Sequence, residues 1–383
     1  MKFLGHGAAE LVFRRNRSVL IILLLLVASL LVAGFSLSLS SPMRPATNGW
    51  TFSFPRDHGK HGDFEVEWWY VSGNLNSSDG KEWGYQFVIF RRALVHRLGS
   101  QTIFRMPFDG YAGHLVITDI TERKHKFFQR QIGSFLNLAG ADTDQLRVWL
   151  RSWRLEEKDG RILLQADQDD CSLSLELFPG KNPVLHDIKG FETKGEGPPR
   201  VSHNYSITSL RTIGQLKWQG NVHSVEGKSW LDREFGTGIT APDLRGWDWF
   251  SLGLGNGFEV MVIQIRLLPG DATVSALGTI VFPDGTYRNL KQADFQVSPV
   301  DFWTSPQTKA CYPMGWEMTI PSLGLKLAVT PAMRDHEILA SASTGVDYWE
   351  GPVRVSGSMN DQAVSGKGYV ELVGYVQSVG GMF

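Results

Sequence analysis

Residues 19–35 form one uncharged apolar run, and past Pro42 the pattern changes to short stretches in which apolar and polar positions alternate. Alternation with a period of two puts successive side chains on opposite faces of a strand. The stretches are divided by Asp79-Gly80, Asp159-Gly160, Asn256-Gly257 and Asp284-Gly285, dipeptides that supply the positive φ of tight hairpins. The pattern predicts strands over residues 65–74, 83–91, 114–119, 147–155, 161–166, 172–178 and 204–210. It predicts further strands over 249–254, 259–266, 276–282, 315–320, 349–356 and 368–374. Residues 124–138 are the one sizeable stretch after the leader that suits a helix. Regularly spaced strands with few helices give an all-β chain, either a sandwich or an up-and-down barrel.

Two aromatic-headed hairpins resemble each other. Trp69-Tyr70 with Gly73 leads through a turn to a strand ending at Arg91, and Trp249-Phe250 with Gly253 leads through Asn256-Gly257 to a strand ending at Arg266. A repeat offset by near half the chain favours two related β-domains. The expected divisions are a leader over 1–45, a first domain over 46–238 and a second over 239–383. Arg14, Arg15 and Arg17 precede the apolar run, and the small, polar residues 36–41 follow it. That is the layout of a secretory signal or signal anchor, so the chain is expected to be exported, periplasmic or extracellular, and secreted or held at a membrane by this segment.

Composition narrows the classes. A net charge of −1 with no basic stripe past the leader argues against nucleic acid. Cys171 and Cys311 would pair only if their Cα atoms approach within about 7 Å, which spacing does not settle. There is no G-x-S-x-G, no zincin motif and no G-x-G-x-x-G, and the Gly227-Lys228-Ser229 triplet has Val222 where a P-loop needs its first glycine. No metal and no cofactor are expected.

Two constellations carry candidate chemistry. In Glu65-Val66-Glu67-Trp68-Trp69-Tyr70 the alternation puts Glu67 with Trp69 and Trp68 with Tyr70. A carboxylate among inward aromatics must be paired, for instance with Arg91, or protonated. In the second, His203 and Tyr205 on one strand and Trp230 and Asp232 on another are each spaced by two. If the strands face each other, an acid, an imidazole and two rings surround one space. Such a space suits acid catalysis on an apolar substrate, because burial keeps an Asp protonated and ring faces stabilise a cation. Glu67, Trp69, His114 and Trp249 are the candidate ligand contacts.

At these residues the sequence resembles the lipocalin-like group of AttH proteins and carotenoid 1,2-hydratases, also called hydroxyneurosporene synthases. The matching segments are DHGKHGDFEVEWWYVSGNL, KSWLDREFGTG, GWDWFSL, CYPMGWEMTIPSLGL and YWEGPVRVSG through GYVELVGY. The resemblance implies two consecutive lipocalin-like antiparallel β-barrels. It also implies a hydro-lyase activity in which Asp232 protonates an isoprenoid double bond, Trp230 and Tyr205 form the aromatic wall, and His203 is a partner or water positioner. The aromatic identities are exchanged relative to the carotenoid enzymes. A carrier or chaperone of a hydrophobic ligand, working beside an ABC-type transporter, is the alternative, and a cyclase that folds a polyene is a third.

Overall fold

The computed structural model describes residues 43–98, 101–193, 201–238, 242–270 and 272–380. The basic flank and apolar run of the expected leader lie outside the described residues.

Strands β1 (Val66–Ser77), β2 (Glu82–Leu98), β3 (Gln101–Asp119) and β4 (Lys124–Gly133) form a meander. They are followed by β5 (Ala139–Ala141), β6 (Arg147–Leu150), β7 (Trp153–Lys158), β8 (Arg161–Gln168) and β9 (Cys171–Pro179). The short β10 (Val184–Leu185) and β11 (Phe191–Thr193) precede the long β12 (Val201–Trp218) and β13 (Asn221–Gly236). These thirteen strands make one antiparallel sheet in the order β4-β3-β2-β1-β13-β12-β9-β8-β7-β6-β5, with β10 and β11 against β12. The sheet curls into a nearly closed barrel, with β4 and β5 as its two edge strands.

A second sheet starts at β14 (Leu244–Leu254), β15 (Glu259–Leu267), β16 (Thr273–Val281), β17 (Tyr287–Lys291) and β18 (Gln296–Pro299). A two-stranded ribbon of β19 (Phe302–Thr304) and β20 (Cys311–Pro313) interrupts it. It resumes with β21 (Trp316–Ile320), β22 (Leu325–Pro331), β23 (Glu337–Ile338), β24 (Tyr348–Met359) and β25 (Gln362–Val373). The ten strands order as β17-β16-β15-β14-β25-β24-β22-β21-β18, with β23 against β24, and curl into a half-barrel. Each sheet wraps its own apolar core, one around Trp69, Trp83 and Trp153, the other around Phe250, Trp316 and Trp349. The chain is thus all-β, with two consecutive lipocalin-like sheets.

Three local expectations change. Residues 124–138 are strand β4 and a 3-10 turn (Phe135–Asn137) rather than a helix. Adjacent Phe127 and Phe128 pack against different cores, one per face, a division a helix stripe does not make. The predicted strand 147–155 is a hairpin, β6 and β7, reversed at Arg151 with φ 57. The two Trp-headed hairpins share a register, Trp69 opposite Ile89 and Trp249 opposite Ile263. Their faces differ, however: Trp69 enters the first core, while in the second hairpin Phe250 takes that place and Trp249 points outward. A one-residue offset reverses every side chain of a strand. Cys171 is buried and Cys311 exposed, and both are free thiols.

Candidate functional site

Strand β13 lies between β1 and β12, so its register decides what surrounds Asp232. Asp232 stands opposite Tyr70 on β1 and Ser206 on β12, and residues paired this way project from the same face. That face is the outside of the first barrel. With Trp68, Trp247, Trp249, Ile263 and Tyr348, Tyr70 and Asp232 line an apolar cavity between the two sheets, of about 990 Å3 with its mouth included. His114 lines it too, held between the Tyr348 hydroxyl (2.8 Å) and Ser343 Oγ (2.9 Å). Burial pushes the His114 pKa down to about 3, so the ring is neutral.

Asp232 takes part in a buried hydrogen-bond chain. Asn289 donates its amide N–H groups to the carbonyls of Leu185 and Asp187, which leaves its oxygen as an acceptor. Thr279 donates to that oxygen at 2.8 Å, so it must accept from His186 Nδ1 at 2.9 Å. Burial pushes the His186 pKa down to about 3. A neutral ring that donates from Nδ1 accepts at Nε2, and Ser206 Oγ lies 2.8 Å from that nitrogen. Ser206 Oγ also lies 2.6 Å from Asp232 Oδ1, and it donates to that oxygen when the carboxyl is ionised or accepts from the carboxyl when it is protonated. A proton on Asp232 would complete the chain when His186 accepts from Ser206. Moving that proton to His186 would make an imidazolium in a site whose burial disfavours it.

A second carboxyl sits close by. Glu350 and Glu371 are cross-strand partners on β24 and β25. Trp247 Nε1 donates to Glu371 at 2.7 Å, and Tyr70 donates to Glu350 at 2.5 Å. Burial and then the Glu371 charge raise the Glu350 pKa well above the carboxylate range, against the Tyr70 hydrogen bond. Burial and the Glu371 charge thus disfavour the carboxylate form of Glu350, which sits behind Tyr70. Two environments that push paired carboxyls apart are a recurrent feature of acid–base sites.

The space expected to hold all four catalytic candidates divides in two. Asp232 and Trp249 face the cavity with His114, and Trp230 faces a neighbouring polar cavity. His203 and Tyr205 stand opposite Phe235 and Arg233 and so point into the end of the first barrel. There they meet Trp50, Phe52 and Phe54 from the segment preceding β1. Tyr205 hydrogen-bonds His58 at 2.6 Å. Glu67 and Trp69 share this inner face. Glu67 accepts from Arg233 at 2.6 Å and, as the alternative reading had it, from Arg91 at 3.1 Å. Trp69 donates to the His58 carbonyl at 2.9 Å, with the Arg233 guanidinium 4.0 Å from its ring. Spacing by two pairs residues within a strand, but cross-strand register decides which pairs meet. Asp232 reaches His186 through Ser206, while His203 lies on the other face of the sheet.

Sequence reasoning missed His186, Ser206, Tyr70, Glu350 and Glu371. Acids inside the apolar stretches Tyr348-Trp349-Glu350 and Tyr369-Val370-Glu371 were the available signal for the last two. His186 lies in an irregular stretch and carried none.

His203 also makes a stability prediction. Neither ring nitrogen has a polar partner among the described residues, and burial with the nearby charges of His61 and Arg44 lowers its pKa to about 4. The unfolded chain, with a His pKa of about 6.5, then binds the proton first, and this contribution to stability is lost as pH falls from 6.5 toward 4. His203→Phe is expected to fold at least as well as wild type at pH 7.5. Its urea midpoint should gain on wild type as the pH is lowered to 5. A variant weaker at both pH values would mean that the imidazole makes an essential bond.

An apolar cavity between two lipocalin-like sheets defines the protein class. The AttH-like family model matches residues 45–375, and the chain belongs to that family. It is similar to the crystal structure of a candidate AttH from Nitrosomonas europaea, with 32% identity and a TM-score of 0.77 over 87% of this chain and 100% of that one. It also resembles kievitone hydratase from Nectria haematococca, with 15% identity and a TM-score of 0.63 over 88% of this chain and 99% of that one. At that identity the likeness is one of fold. No curated protein sequence matches the chain.

Proposed function

We propose that this protein adds water across the double bond of an apolar, isoprenoid-like or lipid-like alkene bound in the cavity, with Asp232 as the proton donor. The observation that carries the reading is the buried chain from Asn289 through Thr279, His186 and Ser206 to the Asp232 carboxyl, which lies beside aromatic walls. Asp232 gives its O–H proton to one alkene carbon, the π pair becomes the new C–H bond, and the more substituted carbon becomes a cation. The faces of Trp249, Trp68 and Tyr70 stabilise that cation, by about 0.5 to 2 kcal/mol per ring. Water forms the C–O bond and loses a proton to the Asp232 carboxylate, which restores the acid. The sum is alkene plus water to alcohol, with no oxidant or reductant.

Native mass spectrometry of the full chain, after incubation with an isoprenoid extract of its host, tests the reading. Wild type is expected to release a product one water heavier than a bound species, while Asp232→Asn holds that species unchanged. The same species held unchanged by both proteins would sink the hydratase reading and leave a carrier. We also place the protein on the exported side of a membrane, on the strength of Arg14, Arg15, Arg17 and the apolar run after them. Cell fractionation that recovers it in the cytosol would overturn this.

A further inference from the structure

At one end of the first barrel β1 starts, with Val66 opposite Gly236, the last residue of β13. The described chain enters there. Arg44 donates its backbone N–H to the Asp63 carbonyl at 2.8 Å, and its own carbonyl accepts from Thr237 Oγ1 at 2.6 Å. Phe35, the end of the apolar run, is eight residues before Met43. Eight residues reach at most about 29 Å, so a run held in a bilayer keeps this end of the barrel near the lipid.

The same end carries the turn after β4. Lys60, in the segment that follows Arg44, has its Nζ 3.7 Å from the Asp109 carboxylate. Asp109 and Ser134 exchange two hydrogen bonds, at 2.8 and 2.9 Å. Phe135 and Leu136 come next, 52% and 83% exposed, and Leu136 is the most exposed large apolar side chain among the described residues. The turn that presents them is braced. Trp149 Nε1 donates to the Asn137 carbonyl at 3.1 Å, and the Arg151 backbone N–H donates to the Leu138 carbonyl at 2.7 Å. Leu136 has a φ of 58, a backbone that disfavours leucine, yet its side chain gains no burial from it. Phe135 stands edge to face on Phe108 at 6.0 Å, and the half-buried Trp149 has the Arg147 guanidinium 5.2 Å from its ring. An exposed apolar tip rimmed by a tryptophan and an arginine has the make-up of a segment at a membrane surface.

We propose that the Phe135–Leu136 turn inserts into the surface of the bilayer that holds the leader, and so fixes the first barrel with this end toward the lipid. One embedded segment tethers a domain but leaves it free to tumble, whereas a second contact sets its orientation. The apolar cavity is lined from Val66 onward, at the start of β1. Docking therefore brings the ligand site toward the phase in which apolar molecules dissolve. The inference rests on the leader pattern and not on the hydration chemistry.

Fluorescence of the full chain in phosphatidylcholine vesicles tests it. Cys311→Ser removes the exposed thiol and leaves Cys171 buried, so one added cysteine takes an environment-sensitive label such as NBD. Leu136→Cys puts the label on the turn. Val222→Cys puts it on a 60% exposed position where β13 starts, at the far end of the barrel. The Leu136→Cys label is expected to shift to the blue, and lipids with nitroxides on their acyl chains should quench it at least threefold more than the Val222→Cys label. Phe135→Asp in the Leu136→Cys background charges the tip and should abolish that excess, while the leader keeps the chain on the vesicles. Phe135 is half exposed, so the urea midpoint should hold. Equal quenching at the two sites, or an excess that survives Phe135→Asp, would mean that the leader alone brings the barrel to lipid, and would overturn the docking. A chain that stays in solution overturns it as well, and a turn left in water on bare lipid would belong to a protein partner instead. None of these outcomes depends on an alkene, so they are distinct from failure of the hydratase reading.

Discussion

Glu67→Ala is expected to destabilise the protein by about 3–5 kcal/mol, the cost of removing one partner from a buried ion pair. Glu67, Arg91 and Arg233 are all fully buried at the end of the first barrel. Burial alone would raise the Glu67 pKa, but the Arg233 charge, the His61 hydrogen bond and the Arg91 charge hold it well below the usual carboxylate range. The two arginines are not equally dependent on it. Arg91 keeps Asp109, which it binds through Nε at 2.9 Å and Nη2 at 3.1 Å. Among the described residues Arg233 keeps carbonyl oxygens of Gly59, Trp68 and Glu234 and a long contact to His61. Without Glu67 its charge is buried with no carboxylate, which is the expensive outcome. The double variant Glu67→Leu, Arg233→Met removes charge and counter-charge together and should recover most of the loss. Urea unfolding of the single and double variants checks this, and additive losses would mean that the two residues are not coupled.

Asp232→Asn is expected to lower conversion by about 10²–10⁴-fold, the usual share of a general acid, with ligand binding retained. The amide matches the shape of the acid and hydrogen-bonds Ser206, but it has no proton to give to carbon. Ser206→Ala separates the two possible directions of the bond between these residues. When Ser206 accepts from the protonated Asp232, its removal destabilises the neutral acid and lowers the carboxyl pKa. Activity that depends on the protonated form would then fail at lower pH than in wild type. When Ser206 donates to an ionised Asp232, the same limb moves to higher pH. The pH–rate profile of Ser206→Ala, measured beside wild type, decides between them, and a shift to higher pH would remove Asp232 as the resting acid.

The strands were legible where alternation was clean. Residues 161–166 and 172–178 read as strands because their apolar positions are the ones that fill the first core, Ile162 and Leu164 in one and Leu173, Leu175 and Leu177 in the other. Strand β13 was legible only at its Trp230–Phe235 end, because its first half is polar and exposed. Residues 124–138 misled because an edge strand with Phe127 and Phe128 on opposite faces has the composition of a short amphipathic helix. For the site, Asp232 was legible as an acid in an aromatic setting. Its partners were not, since His186 reaches it from an irregular stretch through a serine.

By itself the sequence determined an all-β chain and which side chains share a face within each strand. Those are local properties, set by backbone period and turn chemistry. Only the tertiary structure decided that Asp232 meets Tyr70 and Ser206 while His203 and Tyr205 turn into the barrel with Glu67. Which faces meet depends on the register between strands far apart in the chain, and a slip of one residue exchanges inside for outside.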